Sequence, residues 1–300
     1  MTADVFRFLL TAEIPAPATS IDDWWTATRS VAAAFEDTVD IAAAGGFAAG
    51  SVAHAFGAGY NAALRALIPD LAGHLAAMCV TEAGGGHPRA IQTTLEKGVV
   101  NGTKTFVTMG SAATELLVVA KEGTSGDGRP VLKLVRVNAE QDGVTVTDRP
   151  PLPIVPELPH SEVTLENVQV AEVYDGDGYL QYVKPFRTVE DIHVSAATVG
   201  WMIRVARESP WPPDVIESLL ASFAALRTLG AADPSSPTVH IALAGVMAQM
   251  TDGLAKLDAL WNSADLETAA MWSRDKAILQ VANRVRAARL ETAWEAVARK

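Results

Sequence analysis

The feature that most constrains the fold of this chain is a double change of sequence pattern along its length. Residues 1–77 are rich in alanine and carry helical stretches at Asp22–Asp40 and Val52–Leu67, which Gly45-Gly46 and Pro69 interrupt. Short runs of Val, Leu and Thr replace them over residues 78–178. The helical period returns over residues 179–300. This order predicts an α+β fold with three domains: a short N-terminal helical domain, a central β-domain and a C-terminal helical bundle.

The central region has the pattern of a small antiparallel β-domain. The segments LLVVAKE, VLKLVRVNA and GVTVTD are short β-forming runs, and SEVTLENVQV alternates apolar and polar residues. Turn sequences rich in Gly, Asp and Pro separate them. Short strands at such regular spacing predict an antiparallel barrel or sandwich.

The C-terminal region reads as a series of helices punctuated by proline and glycine. Asp214 and Glu217 form a capping-box-like start, and Ser236-Pro237 opens the next helix. The predicted helices cover residues 187–208, 214–230, 237–261 and 265–300. The Ala-rich stripe of the last helix would let it pack on another copy of the chain, as in a homo-oligomer.

Composition excludes several classes of function. The formal net charge of −11 argues against nucleic-acid binding, because phosphate contacts need clustered Lys and Arg. The uncharged stretch Ile41–Leu64 is mostly Ala and Gly, so we expect packed helices there and not a membrane span. The single cysteine, Cys79, and the lack of a secretory signal predict a cytoplasmic protein. The histidine spacings give no metal-binding pattern.

Two segments of the β region carry a family resemblance. The segment Met78–Pro88 reads MCVTEAGGGHP, and Asn101–Ser111 reads NGTKTFVTMGS. They are similar to the flavin-contacting segments C-x-T-E-P-x-x-G-S-D and N-G-x-K-x-W-I-T-N-G of the acyl-CoA dehydrogenase family. SEVTLENVQV resembles the closing strand of that family's β-domain. The chain therefore resembles a shortened, divergent acyl-CoA dehydrogenase.

The resemblance implies FAD as the cofactor. It places Val80 and Thr81 where the family hydrogen-bonds the flavin ring, Phe106 beside the isoalloxazine, and Thr108 near flavin N5. An aromatic ring system of this kind needs apolar contacts and a few fixed donors. The alternative is a β-domain that kept these residues for packing after losing its cofactor. The implied cofactor-binding residues are Met78, Val80, Thr81, Gly86, His87, Phe106, Val107 and Thr108.

The sequence departs from the family at several positions. Ala83, His87 and Pro88 replace the usual proline, serine and aspartate of the first segment, and Met109 replaces the asparagine of the second. His87 can still donate a hydrogen bond to a phosphate. The family's R-x-x-F-G and G-G-x-G-Y elements, which reach the neighbouring subunit's cofactor, do not occur in this sequence.

The family's reaction needs a carboxylate base to remove the α-proton of an acyl thioester. The late E-G-T-like segment that supplies it in many members is not found here. In a minority of members the base begins the first bundle helix, ten residues before a glycine, and Glu190 lies ten before Gly200. Glu190 is therefore the candidate base. The alternative is that Glu190 and Asp191 are first-turn acidic residues that favour the helix dipole.

Two functions remain open from sequence. The first is an FAD-dependent oxidoreductase that introduces an α,β double bond into an acyl thioester by proton abstraction and hydride transfer to flavin N5. The second is a non-catalytic subunit that completes the site of a full-length dehydrogenase in a hetero-oligomer. A third pattern, FGAGYNA at Phe56–Ala62, fits a dinucleotide fingerprint, but no predicted strand precedes it. We instead expect its Gly57 and Gly59 to allow close helix packing.

Overall fold

The computed structural model describes residues 4–298, which form two compact units. The helical unit contains the residues before Leu67, the segment Pro153–Val155 and the residues from Thr188 onward. The sheet unit contains Leu67–Leu152 and Pro156–Arg187. The predicted α+β fold class, with helices, then a sheet, then helices along the chain, is confirmed. The division into three domains stays a prediction.

Two helices lie close to their predicted bounds. Helix α4 has the predicted bounds, and α5 begins three residues before the predicted Arg187. None of the helices within residues 4–298 has the length and hydropathy that a membrane-spanning segment requires. The α-helices are α1 Val5–Thr11, α2 Ile21–Ala32, α3 Thr38–Ala48, α4 Val52–Leu67, α5 Lys184–Glu208, α6 Pro213–Gly230, α7 Pro237–Leu257, α8 Leu266–Asp275 and α9 Asn283–Ala298.

The single helix predicted over Asp22–Asp40 is wrong, because a turn separates α2 from α3. The Asp37 carboxylate caps α3 by accepting a hydrogen bond of 2.8 Å from the Val39 amide. The predicted break at Gly45-Gly46 is also wrong, since both glycines lie inside α3. A Cβ atom on Gly46 would overlap the Ala197 carbonyl of α5, so glycine serves close helix packing here.

The C-terminal helices differ from the prediction at three points. Helix α6 starts after Pro212 without a side-chain cap, so the predicted capping box is wrong. Helix α7 ends at Leu257, short of the predicted Trp261. The helix predicted over residues 265–300 is interrupted by a 3-10 turn between α8 and α9, and its last two residues lie outside the described chain. At the end of α8 the fully buried Asp275 carboxylate accepts a hydrogen bond of 2.8 Å from the Val155 amide.

The sheet unit is built on one mixed sheet of eight strands. The strands are β1 Ala76–Cys79, β2 Thr94–Glu96, β3 Val99–Thr108, β4 Glu115–Thr124, β5 Pro130–Asn138, β6 Val144–Asp148, β7 His160–Gln169 and β8 Glu172–Val173. Their order is β6-β7-β3-β2-β4-β5-β8, with β1 pairing in parallel with β4. The sheet is not closed, so its edges β6 and β8 distinguish it from a true barrel.

The residue pattern of the predicted strand β7 determines which of its side chains are buried. Its alternation places Val163 and Leu165 in the core of the sheet unit, and a register irregularity before Val168 returns that side chain to the same core, with less than about 2% of each residue exposed. It pairs with β3 in antiparallel register, which sets His160 opposite Thr108. The side chains around one end of β3 therefore come from two distant parts of the sequence.

In the helical unit, His193 of α5 is buried in its neutral form. Its ring nitrogens lie 2.7 Å from the Val189 carbonyl oxygen and 2.9 Å from the Thr38 hydroxyl, so one donates and the other accepts. Burial lowers the pKa of His193 from 6.5 to about 4. Protonation therefore favours the unfolded chain between these two pH values.

The lowered pKa of His193 predicts that the protein loses stability in acid, and that a variant with a non-titrating side chain at this position loses less. Stability from neutral His193 is present above pH 6.5 and falls as the pH drops towards 4. Urea unfolding at pH 7.5 and pH 4 should show a decrease about 3 kcal/mol larger in wild type than in His193→Gln. Equal decreases in the two proteins would contradict the assignment.

Candidate functional site

The two segments that resemble flavin-binding motifs lie side by side in the sheet unit. The Thr105 amide of β3 donates a hydrogen bond of 2.9 Å to the Thr81 carbonyl, just after β1. The structure thus brings together the residues predicted from the first segment and those predicted from the second. Sequence alone predicted the segments, and the sheet supplies their adjacency.

One buried cation joins these segments. The Lys104 Nζ, on a side chain with no exposed surface, lies 2.7 Å from Glu82 Oε1, 2.6 Å from the Val119 carbonyl oxygen and 3.4 Å from the Val80 carbonyl oxygen. The Thr93 hydroxyl donates to the same Glu82 oxygen at 2.7 Å. Burial alone would raise the pKa of Glu82, but the bonded Lys104 ammonium lowers it below its usual value. We call Glu82 and Lys104 the buried ion pair.

Phe106 presents an aromatic face at the end of β3. Its side chain is 39% exposed, unusual for a phenylalanine in a folded domain. The His160 ring lies 4.6 Å from it, centroid to centroid, and the Arg149 guanidinium carbon lies 5.9 Å from the Phe106 centroid. Arg149 Nη1 also donates to the Thr105 carbonyl at 3.0 Å.

Arg149 and His160 were not predicted as site residues. The signal that could have found them is the pairing of β7 with β3, which places His160 opposite Thr108. Burial lowers the pKa of His160 below its usual value, and the nearby Arg149 acts in the same direction. The positively charged Arg149 guanidinium and the His160 ring, which favours its neutral form, therefore both lie beside Phe106.

The remaining predicted cofactor residues divide into a half-buried group and a buried group. Val80, Thr81, Gly86 and Thr108 are half-buried, whereas the Met78 and Val107 side chains are buried. The Thr81 and Thr108 hydroxyls make no side-chain hydrogen bond to any residue in the described chain, so both can donate to a ligand. A Val107 contact with a ligand would have to come from its backbone, since its side chain lies in the sheet core.

His87 lies exposed on the loop after the first segment. Its Nδ1 accepts a hydrogen bond of 3.3 Å from the Arg89 amide. In the neutral ring this places the proton on Nε2, which can donate to a ligand. Cys79, by contrast, is fully buried, and burial raises the pKa of its thiol to about 12. The thiol therefore stays protonated and is no nucleophile at neutral pH.

Glu190 belongs to the helical unit, where it lies half-buried near the start of α5. The neighbouring Asp191 is paired with two cations of α9: its carboxylate lies 2.7 Å from Arg286 and 2.5 Å from Arg289. These two guanidinium groups offset the charge of the Asp191 carboxylate. Among residues 4–298, no group of three His, Cys, Asp or Glu side chains is arranged to hold a metal ion.

The comparisons with known proteins agree with this geometry. Residues 77–168 match the family described as acyl-CoA dehydrogenase, middle domain. No curated protein matches the chain in sequence. The fold matches that of acyl-CoA dehydrogenases. Over residues 77–168 the chain resembles a divergent member of the acyl-CoA dehydrogenase family.

Several solved structures share the fold over nearly the whole chain. Butyryl-CoA dehydrogenase from Megasphaera elsdenii is 15% identical with a TM-score of 0.66, over 92% of this chain and 90% of that one. A putative acyl-CoA dehydrogenase from Mycobacterium smegmatis is 14% identical with a TM-score of 0.66, over 97% and 96%. The FAD complex of PigA is 14% identical with a TM-score of 0.58, over 94% and 95%. At these identities the likeness shows the fold alone.

Proposed function

We propose that the chain is an FAD-dependent oxidoreductase that introduces an α,β double bond into an acyl thioester. The observation that carries the proposal is the joining of the two motif segments by the buried ion pair and the Thr105–Thr81 hydrogen bond. Beside this junction lie an exposed aromatic ring, Phe106, and the unpaired hydroxyls of Thr81 and Thr108. An apolar face with a few fixed donors suits an isoalloxazine ring.

The residues that would hold FAD are those of the sheet unit. Phe106 would pack on the flavin ring, the Thr81 and Thr108 hydroxyls would donate to it, and His87 Nε2 would donate to a phosphate. When bound, FAD would be the oxidant and would take up a hydride from the β-carbon of the substrate. The nearby Arg149 adds a positive charge that favours added electron density on a ring packed against Phe106.

Glu190 is the proposed base, which would take the α-proton onto its carboxylate. The alternative of a first-turn acidic residue that favours the helix dipole is wrong, because α5 begins at Lys184 and Glu190 lies in its second turn. We expect Glu190→Gln to lower the turnover of acyl thioesters by roughly 10²–10⁴-fold, the usual contribution of a general base. Steady-state turnover with an artificial electron acceptor measures this, and Glu96→Gln, on an exposed strand residue, is the control. Unchanged turnover in Glu190→Gln would eliminate Glu190 as the base.

The second candidate is a non-catalytic subunit on the same fold. The absence of the R-x-x-F-G, G-G-x-G-Y and E-G-T-like elements from the sequence supports it. Such a subunit would complete the site of a full-length dehydrogenase in a hetero-oligomer. The enzyme hypothesis instead involves a homo-oligomer, and in both cases the buried, reduced Cys79 suits the cytoplasm.

Whether the purified protein retains flavin distinguishes the oxidoreductase from the non-catalytic subunit. Purified protein is mixed with excess FAD, passed through gel filtration and examined by visible absorption. We expect a retained flavin spectrum, with FAD affinity about tenfold weaker in Phe106→Ala because an aromatic stack is lost. Trp294→Ala, which removes another exposed aromatic residue, should bind FAD as wild type does. A well-folded protein that retains no flavin would overturn the autonomous enzyme and favour the subunit.

A further inference from the structure

Arg149, which directly follows β6, has a guanidinium that forms no ion pair with any residue of the described chain. Its Nη1 donates to the Thr105 carbonyl at 3.0 Å, and its central carbon lies over the Phe106 ring at 5.9 Å from the centroid. The adjacent Asp148 carboxylate instead accepts a hydrogen bond of 2.8 Å from the Ser161 hydroxyl. Within this part of the chain, the charge of Arg149 is therefore held against an aromatic face without a counter-ion.

Strand pairing fixes the position of Arg149 relative to this aromatic face. The Arg149 amide donates a hydrogen bond of 2.8 Å to the His160 carbonyl, which continues the pairing of β6 with β7. Strand β7 also pairs with β3, where His160 lies opposite Thr108. The cation and the Phe106 ring thus belong to one hydrogen-bonded sheet, and its register sets their separation.

His160 adds no charge of its own to this face. The residue is 8% exposed, and its ring lies 4.6 Å from the Phe106 ring, centroid to centroid. The Leu158 carbonyl oxygen, 3.1 Å from Nδ1, can only accept, so Nδ1 carries the proton of the neutral ring. Burial lowers the pKa of His160 below its usual value, and Arg149 lowers it further. At neutral pH the positive charge beside Phe106 is therefore that of Arg149.

A flavin ring packed on Phe106 would interact with this charge differently in its two oxidation states. The isoalloxazine ring of oxidised FAD is neutral, whereas two-electron reduction adds negative charge to it. A fixed cation beside the ring favours the reduced state, and the interaction strengthens where the ring excludes water.

We propose that Arg149 sets the reduction potential of FAD on this chain, because it stabilises the reduced ring more than the oxidised ring. The inference rests on the proposed function, since it takes FAD as the ligand of the Phe106 face. It goes further by assigning the strength of the oxidant to a residue outside both motif segments. Removing the charge should lower the reduction potential without weakening the binding of oxidised FAD.

Two titrations of the full chain test this assignment: oxidised FAD into the apoprotein, and reduction of the FAD-loaded protein against a reference dye. We expect Arg149→Met to bind oxidised FAD as tightly as wild type does. It should bind reduced FAD about tenfold more weakly, which corresponds to a potential about 30 mV lower. Arg149→Lys, which keeps the charge, should stay near the wild-type potential. Arg129→Met, which removes an exposed cation in the turn between β4 and β5, is the matched control and should also match wild type.

The variants distinguish the charge of Arg149 from its packing. Equal potentials in wild type and Arg149→Met would overturn the inference, as would a decrease in Arg149→Lys as large as that in Arg149→Met. Equal weakening of oxidised and reduced FAD would also overturn it, because Arg149 would then only hold the ring in place. A wild-type chain that retains no flavin would refute the proposed oxidoreductase and this inference together, whereas retained flavin with an unchanged potential would refute this inference alone.

Discussion

Replacing Lys104 with methionine is expected to lower the free energy of unfolding by roughly 3–5 kcal/mol, the cost of leaving one member of a buried ion pair alone. The Glu82 carboxylate would remain buried beside Thr93 without its cation. The Val80 and Val119 carbonyls would also lose a donor. Urea unfolding monitored by circular dichroism measures the change. FAD binding should weaken as well, since Lys104 holds Val80 and Glu82 on either side of Thr81.

The double variant Lys104→Met/Glu82→Gln is the control for charge. The neutral amide still accepts from Thr93 and can donate to the carbonyls that Lys104 leaves. We expect it to regain about 2 kcal/mol of the stability lost in Lys104→Met. A double variant no more stable than the single one would mean that the lost Lys104 packing, and not the unpaired carboxylate, causes the destabilisation.

Replacing Gly200 with alanine should destabilise the helical unit by roughly 3 kcal/mol, because the backbone of α3 occupies the space of the new methyl group. A Cβ atom at this position would overlap the Ala43 carbonyl oxygen and lie 3.0 Å from the Phe47 nitrogen. Neither contact can be relieved by a side-chain rotation. Thermal and urea unfolding of the variant measure the loss.

Gly245→Ala, in the exposed part of α7, is the matched control. No atom lies within 4 Å of the Cβ position, so the same substitution should stabilise the protein by roughly 0.5–1 kcal/mol through helix propensity. Equal effects at the two positions would show that the approach of α5 to α3 does not depend on Gly200.

The glycines of the rejected dinucleotide pattern illustrate the same packing. A Cβ atom on Gly59 would lie 2.6 Å from the Val194 Cα of α5, so this glycine allows α4 to approach α5 closely. The expectation of close helix packing is confirmed at Gly59. The pattern FGAGYNA therefore has a packing explanation inside α4.

The sequence was sufficient to predict the two motif segments and the strands β4 to β7. Strand β7 followed from an alternation that buries Val163 and Leu165, and α4 from an uninterrupted helical period. The end of α7 and the end of α8 were not predictable in the same way. The interruption after α8 coincides with the buried Asp275 and its bond to Val155, a residue 120 positions away in the chain.

The sequence by itself determined the order of helices and strands, because local periodicity and turn residues encode it, and two short motifs carried the resemblance to a family. Tertiary structure decided which side chains share a site. The register of β7 on β3 brings His160 to Phe106, and Lys104 meets Glu82 across the sheet. The cleft of about 600 Å³ lined by α4, α5, α7, α8 and α9 arises only when separate helices enclose a volume. Such contacts depend on three-dimensional packing between distant segments, which no local sequence pattern specifies.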